Sequence, residues 1–222
     1  EVVRVARFGA PVSLSAEALE QIGRGRAVVE GMIDDPRPHY GVSTGFGALA
    51  QRHIPRESRR HLQRSLIRSH AAGTGPEVER EVVRALMLLR LSTLATGHTG
   101  VRPETATAYA SMLSAGITPI VPEYGSLGCS GDLAPLAHCA LALTGEGVVH
   151  DVAGRECDAS DALAAAGIVP QALVEKEGLA LSNGTDGMLG IVGLALADLR
   201  LLVKSAHIAA ARSVEGLLAT DA

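Results

Sequence analysis

The sequence is poor in aromatic residues, and this limits what its core can be. Trp is absent, and Phe, Tyr and Trp together make up 2% of the 222 residues. Hydrophobic residues nevertheless account for 47% of the chain. We therefore expect a core of Ala, Leu, Val and Ile, a composition that suits packed helices. A chain of this length can bury such a core in one or two domains.

The sequence also has few cysteines and no large excess of positive or negative charge. The 20 Lys and Arg residues against 24 Asp and Glu residues give a net charge of −4, which does not favour a nucleic-acid partner. The three cysteines, Cys129, Cys139 and Cys157, lack the spacing of metal ligands, and their odd number is a poor basis for disulfides. We expect reduced thiols, no metal site and a cytoplasmic protein.

Long apolar runs are missing as well. The most apolar stretch, residues 188–203, contains Asp198 and Arg200 and is too short to span a membrane. The sequence shows no signal peptide. These absences predict a globular protein with no membrane partner.

Apolar residues recur mostly at helical spacing, between Gly and Pro residues that mark helix ends. Ser15 is predicted to cap the first helix and Pro76 to open the third. The predicted helices span about residues 15–31, 57–72, 76–97, 103–116, 132–144, 158–166 and 185–218. Short extended segments are predicted at 117–121 and 148–153. The expected fold class is mainly α with a few short strands.

Residues 125–138 read GSLGCSGDLAPLAH, and the Cys129-Ser130-Gly131 core of this stretch can form an electrophile. The nitrogen of Gly131 can attack the carbonyl carbon of Cys129, because glycine has no side chain to block the approach. Loss of one water closes a five-membered ring, and loss of a second from Ser130 leaves 4-methylidene-imidazol-5-one. Ordinary side chains supply nucleophiles, acids and bases rather than an electrophile of this kind. The alternative interpretation is a turn with a small buried thiol.

The stretch resembles the prosthetic-group loop of the histidine/phenylalanine ammonia-lyase family. That family more often has alanine at the position of Cys129, and cysteine occurs among its histidine-specific members. The resemblance implies 4-methylidene-imidazol-5-one as the cofactor, with no metal and no diffusible cofactor. Asp132 would shuttle protons during ring closure, or cap the helix that follows it, or both.

Two further segments carry the resemblance and imply substrate contacts. Residues 40–47 read YGVSTGFG and are similar to the family's tyrosine loop. Tyr40 would then remove the substrate's β-proton and Gly47 would line the substrate site, whereas many loop tyrosines simply pack at a domain edge. His70 shares a predicted apolar helix face with Leu62 and Leu66, so it is either a core histidine or, by resemblance, a contact to the substrate ring.

The segment 177–185, EGLALSNGT, is similar to a family motif whose Asn hydrogen-bonds near the prosthetic group. Asn183 takes that place here, although it could instead cap the long helix that follows. Ser182 departs from the apolar residue usual in the motif. The basic face formed by Arg60, Arg64 and Arg68 is interpreted as solvated, or as paired with acidic residues of another subunit.

The resemblance extends from residue 1 to 222 and covers about the N-terminal half of the family's longer chains. It implies a domain at 1–184 that carries the self-processing loop, and at 185–222 the truncated start of a helical bundle. The implied reaction converts L-histidine to trans-urocanate and ammonia in a homotetramer, and the fragment alone could be inactive. The alternatives are a tyrosine ammonia-lyase or aminomutase and an unmatured, non-catalytic assembly fragment.

Overall fold

Helices dominate the structure, a computed structural model that describes residues 1–128 and 130–220. The helices are α1 (Val2–Phe8), α2 (Ala16–Met32), α3 (Arg56–His70), α4 (Arg80–Ala95), α5 (Pro103–Ser114), α6 (Leu133–Leu143), α7 (Ala159–Ala165), α8 (Glu177–Ser182) and α9 (Asp186–Gly216). The strands are β1 (Thr74–Glu77), β2 (Thr118–Pro119), β3 (Pro122–Tyr124), β4 (Val148–His150) and β5 (Glu156–Asp158). The expectation of a mainly α fold with a few short strands is confirmed.

The strands form two small antiparallel sheets. In one, β1 pairs with β3 and Thr74 lies opposite Tyr124. In the other, β4 lies between β2 and β5, with Thr118 opposite His150. The first sheet positions a functional segment, because β1 follows the end of α3 and β3 leads into the loop that starts at Gly125.

The core is aliphatic, as its composition predicts, and α4 lies at its centre between α1, α5 and α9. Tyr109 of α5 is the large aromatic side chain buried among aliphatic ones. The largest fully buried aliphatic side chains are Ile22, Ile67, Met87, Leu91, Leu94, Met112, Leu113, Leu136, Leu143 and Leu163. Their burial removes a continuous apolar surface from water, which is the main favourable term in folding.

α9 is buried only near its start. Asp186, Gly187, Gly190 and Leu194 are its buried residues, and beyond Leu194 every residue of the helix is at least partly exposed. Its exposed large apolar side chains are Leu189, Ile191, Val192, Leu196, Leu199, Leu201, Leu202, Val203, Ile208 and Val214. Across the described residues, helices fall short of either the length or the apolar character needed to cross a membrane.

The structure corrects the prediction at Pro76. This residue lies in β1, and α4 begins at Arg80. Pairing with β3, which sets Thr74 opposite Tyr124 and Glu77 opposite Pro122, keeps this segment in a strand before the helix can start. Gly75, with a φ of 93°, lies at the irregularity between the two pairs. α1 and α8 were not predicted, because helices this short depend on packing more than on their own sequence pattern.

The predicted cap at Ser15 is confirmed. Its hydroxyl accepts a hydrogen bond from the backbone N–H of Ala18 at 3.1 Å. The Ser side chain thereby satisfies one of the donors that a helix start leaves free.

Candidate active site

The glycine-rich loop at 125–132 folds back on itself. The N–H of Gly131 donates to the carbonyl of Gly128 at 2.8 Å, and the N–H of Leu127 donates to the carbonyl of Gly131 at 3.0 Å. A Cβ built at Gly131 would lie 2.6 Å from the Gly128 oxygen and 2.8 Å from Cβ of Leu127. Only glycine therefore fits this position. Ser130 is exposed, and Cys129 lies outside the described residues.

Asp132 fastens the end of this loop to α9. Its carboxylate is fully buried and accepts hydrogen bonds from the hydroxyl of Ser126 and, at 3.0 Å, from the backbone N–H of Met188. Gly187 leaves room for this contact, since a Cβ there would lie 3.1 Å from Asp132 Oδ2. Asp132 occupies the N-cap position of α6, but its carboxylate turns towards these partners rather than capping the helix. The interpretation of Asp132 as a side-chain cap is therefore wrong.

A buried ion pair fixes the start of α9. Arg90 pairs with Asp186, and it also donates to the carbonyl of Ala180 at 3.0 Å. Both charged side chains are almost fully buried. A Cβ at Gly184 would overlap Arg90. The segment between α8 and α9 therefore has little freedom to shift.

Asn183 lies in this segment and is exposed. Its N–H donates to the carbonyl of Leu179 at 3.0 Å, so its backbone ends α8. Thr185 takes the N-cap position of α9, which makes the prediction of Asn183 as the cap of the long helix wrong. The hydroxyl of Ser182, buried in place of an apolar side chain, donates to the carbonyl of Gly178 at 2.8 Å.

Tyr40 is about half exposed, at 49%. Its hydroxyl oxygen accepts a hydrogen bond from the N–H of Gly47 at 3.3 Å, and its ring packs edge-on against Phe46 with the centroids 6.0 Å apart. The backbone of Gly41 lies against Leu179 of α8, since a Cβ built there would be 3.0 Å from Cδ2 of Leu179. The loop thus joins Tyr40 to Gly47 and rests on the helix that Asn183 ends.

His70 lies at the C-terminal end of α3 and is partly buried. Its Nδ1 is 2.9 Å from the carbonyl oxygen of Leu66 and 3.0 Å from the hydroxyl of Ser69. The neighbouring carbonyl favours the tautomer with a proton on Nδ1, which leaves Nε2 as the acceptor. The ring is therefore oriented by local hydrogen bonds rather than packed in the core.

The structure brings the end of α3 against the glycine-rich loop. The N–H of Gly73 donates to Nε2 of His138 on α6 at 3.2 Å, and burial lowers the pKa of that histidine. A Cβ at Gly125 would lie 3.3 Å from Cα of Gly73. The segment that follows His70 and the start of the loop are thus in direct contact.

Tyr40 and the loop border different cavities. Tyr40 lines one of about 380 Å³ with His39, His98 and Lys176. Ser126 and Asp132 line a smaller one of about 80 Å³.

The basic face of α3 pairs within this chain. Nε of Arg64 and of Arg68 donate to the two carboxylate oxygens of Glu146, at 2.9 and 2.6 Å. Both arginine side chains are also more than half exposed, so the face is solvated as interpreted, and its pairing with acidic residues of another subunit stays a prediction.

The described cysteines are free thiols, and burial raises the pKa of Cys139 to about 12. Within 1–128 and 130–220, no group of three or more His, Cys, Asp or Glu side chains is placed to hold a metal ion.

Sequence reasoning missed the residues that hold the site segments in place. Arg90 and the Arg102–Glu177 pair are examples, and Glu177 is fully buried. Their signal in the sequence is weak, because charged residues in an amphipathic helix are usually solvated. The sequence gives one indication of these partners, because the acidic residues Glu177 and Asp186 lie on either side of the segment that contains Asn183.

The chain combines a mainly helical fold with a glycine-rich loop that turns back on itself at Gly131. The model of the family described as aromatic amino acid lyase matches residues 1–222, and the chain belongs to this family.

Curated relatives within that family are named for one substrate. The chain is 63% identical over 221 residues to the protein named histidine ammonia-lyase in Streptomyces griseus, which covers 100% of this chain and 43% of that protein. It is 48% identical over 218 residues to the one in Gloeobacter violaceus, covering 98% of this chain and 42% of that protein. The chain therefore spans less than half the length of these relatives.

Solved structures share the fold. Histidine ammonia-lyase from Trypanosoma cruzi matches with a TM-score of 0.89 and 36% identity, over 99% of this chain and 42% of that chain. Tyrosine aminomutase from Streptomyces globisporus matches with a TM-score of 0.78 and 43% identity, over 85% and 35%.

Proposed function

We propose that this chain is part of an ammonia-lyase that eliminates ammonia from L-histidine and gives trans-urocanate. The 63% identity to a protein named histidine ammonia-lyase supports the substrate. The observation that carries the proposal is the tight packing at Gly131, which leaves no room for a side chain on the residue whose nitrogen would close the ring.

The loop residues fit the prosthetic group 4-methylidene-imidazol-5-one formed from residues 129–131. The exposed Ser130 can lose its hydroxyl to solvent, and Gly131 has no side chain. The burial of Asp132 and its hydrogen bond with Ser126 support a role in fixing the backbone just beyond the ring, and in the proposal Asp132 also takes part in proton transfer during closure. When formed, the group supplies an electrophilic carbon that accepts the amine of an amino acid.

The other proposed site residues act on the substrate. Tyr40 takes the β-proton, and the N–H of Gly47 holds its hydroxyl oxygen in place while Gly47 lines the site. His70 presents Nε2 to a ring N–H of the substrate imidazole. Asn183, exposed at the end of α8, donates a hydrogen bond close to the loop.

The proposal includes parts of the protein beyond these 222 residues. Residues 1–184 form the domain with the reactive loop, and 185–222 begin a helical bundle that the remaining chain extends. The functional unit is a cytoplasmic homotetramer whose sites combine residues of several subunits, including an arginine for the substrate carboxylate. The exposed apolar side of α9 supports a bundle, because that surface is unfavourable in water.

The test uses the full-length protein. Intact mass is expected to be lower than the sequence mass by two waters, and L-histidine is expected to yield ammonia and urocanate. Ser130→Ala removes the hydroxyl that leaves as the second water, so it should keep the fold and lose nearly all turnover. Ser205→Ala, an exposed serine on α9, is the matched control and should behave as the parent. A parent protein whose intact mass equals the sequence mass would favour a non-catalytic assembly protein.

A second candidate is a tyrosine ammonia-lyase or aminomutase. The 43% identity to a tyrosine aminomutase structure favours it. Product analysis with L-histidine and L-tyrosine, at equal concentrations of the matured enzyme, separates the two. If kcat/KM is higher for tyrosine than for histidine, tyrosine is the substrate and the proposal of histidine is wrong.

A further inference from the structure

Lys176 adopts a backbone conformation that side chains rarely take. Its φ is 76° and its ψ is −22°, in the left-handed region at the N-terminal end of α8. Within the described part of the chain, Leu218 is the one other non-glycine residue with a positive φ. Such strain persists only where the surroundings impose it, and it concentrates at functional sites.

The residues on either side of Lys176 are held firmly. The carbonyl of Glu175 accepts a hydrogen bond from Nη1 of Arg26 at 2.8 Å. The carboxylate of Glu177 is fully buried and bonded on both oxygens. The donors to Glu177 are the backbone N–H and guanidinium of Arg102, the hydroxyl of Thr105 and the backbone N–H of Val174. The contacts of Glu175 and Glu177 therefore hold residue 176 in the strained left-handed conformation.

This turn directs the lysine stem at the tyrosine loop. A Cβ built at Gly41 would lie 3.8 Å from Cδ of Lys176, and one built at Gly100 would lie 3.5 Å from its Cγ. The stem thus fills the space that a side chain at Gly41, next to Tyr40, would reach, and Lys176 and Tyr40 line the same cavity of about 380 Å³. Both glycines have positive φ, so the three backbones fit together in unusual conformations.

We propose that Lys176 is a positioning residue for Tyr40, whose aliphatic stem fixes the backbone at Gly41. This rests on the proposed function, in which Tyr40 takes the β-proton. Glycine would adopt the left-handed turn without strain. A side chain at this position therefore lowers the stability of the fold. In the proposal, the protein keeps this side chain because it positions Tyr40.

The experiment compares variants of the full-length enzyme. Lys176→Gly relieves the strain and removes the stem, so Tm should rise by about 1–3 °C. Its kcat should fall about tenfold or more with KM changed by less than about threefold, because Tyr40 acts in the chemical step. Lys176→Met keeps the stem without the charge and should retain kcat within about threefold. Lys204→Met, which alters the exposed lysine of α9, should match the parent.

Hydrogen exchange of the amides at 40–47 gives a readout that does not depend on turnover. Exchange should be faster in Lys176→Gly and unchanged in Lys176→Met. Unchanged exchange or kcat in Lys176→Gly would overturn the proposal, as would a Tm that does not rise. Equal losses in the Gly and Met variants would also overturn it, because the charge would then be the active feature. If the parent releases no ammonia from histidine, the proposed function fails while exchange still decides the role of Lys176.

Discussion

At the scale of single residues, the geometry of the glycine-rich loop depends on a carboxylate and a glycine. Asp132 collects one hydrogen bond from within the loop and one from α9, and Gly131 fits where no other residue could. The sequence could identify both as candidates, because their types and order suit ring closure. It could not identify Met188 as a partner of Asp132, since this contact exists only once α9 is docked, and the contact with Ser126 depends on how the loop folds.

Replacing Asp132 separates its hydrogen bonds from its charge. Asp132→Ala leaves the Met188 N–H and the Ser126 hydroxyl without their partner, which should destabilise the full-length protein by about 1–3 kcal/mol and reduce ring closure. Asp132→Asn keeps an amide oxygen for Met188 and an N–H for Ser126, so most of the stability should remain. Urea unfolding measures the first effect and intact mass the second. An alanine variant as stable as the parent would show that Asp132 does not anchor the loop.

At the scale of elements, periodicity predicted the long helices well and short pieces poorly. α2, α5 and α6 lie close to their predicted bounds because each presents a repeating apolar side to the core, and α9 also matches its bounds although it is buried only near its start. Pro76 was misread because a proline also fits a strand that is paired on only one side. Long-range pairs such as Thr74 with Tyr124 have no local signature, so the contact between the α3 end and the loop could not be predicted.

The contact of α3 with Glu146 gives a pH-dependent prediction. Burial raises the pKa of Glu146, but hydrogen bonds from Arg68 and Arg64 outweigh it and hold the pKa below its ordinary value. The stabilisation is therefore present above the unfolded pKa of about 4.3 and is lost as the pH falls through the folded value. Because both arginines are more than half exposed, Glu146→Gln should cost only about 0.5–1 kcal/mol at pH 7.

Chemical unfolding of the parent and of Glu146→Gln at pH 7 and near pH 3 checks this expectation. The difference between them should shrink at the lower pH, and at pH 7 it should also shrink in high salt. Glu156→Gln, which changes an exposed acid on β5, is the control and should show no such dependence. A difference that is the same at both pH values would mean that Glu146 acts through packing.

At the scale of the whole molecule, the feature that stands out is the uncovered apolar side of α9. Ten large aliphatic side chains along the helix are 40% exposed or more. Exposed apolar surface of this kind tends to associate. The core to which α1, α4 and α5 contribute, by contrast, is buried from solvent and mainly aliphatic.

The 222-residue chain expressed alone should therefore self-associate at micromolar concentrations. Light scattering should detect particles larger than one chain, and a dye that binds apolar surface should fluoresce. Leu199→Glu combined with Leu202→Glu, two exposed positions of α9, should reduce both signals. Val152→Glu combined with Val169→Glu, two exposed apolar positions outside α9, adds the same negative charge and should leave both signals unchanged. A parent chain that stays monomeric and gives no dye fluorescence would contradict the prediction.

The hydrogen bond from Met188 to Asp132 also sets an order of events during synthesis. The two residues are 56 positions apart, so the ribosome completes the loop well before it makes the loop's anchor. A growing chain that ends before Met188 holds Asp132 without this partner. Under the proposed function, ring closure is then a late step, and the newborn protein carries unreacted residues until α9 has reached its place on α4.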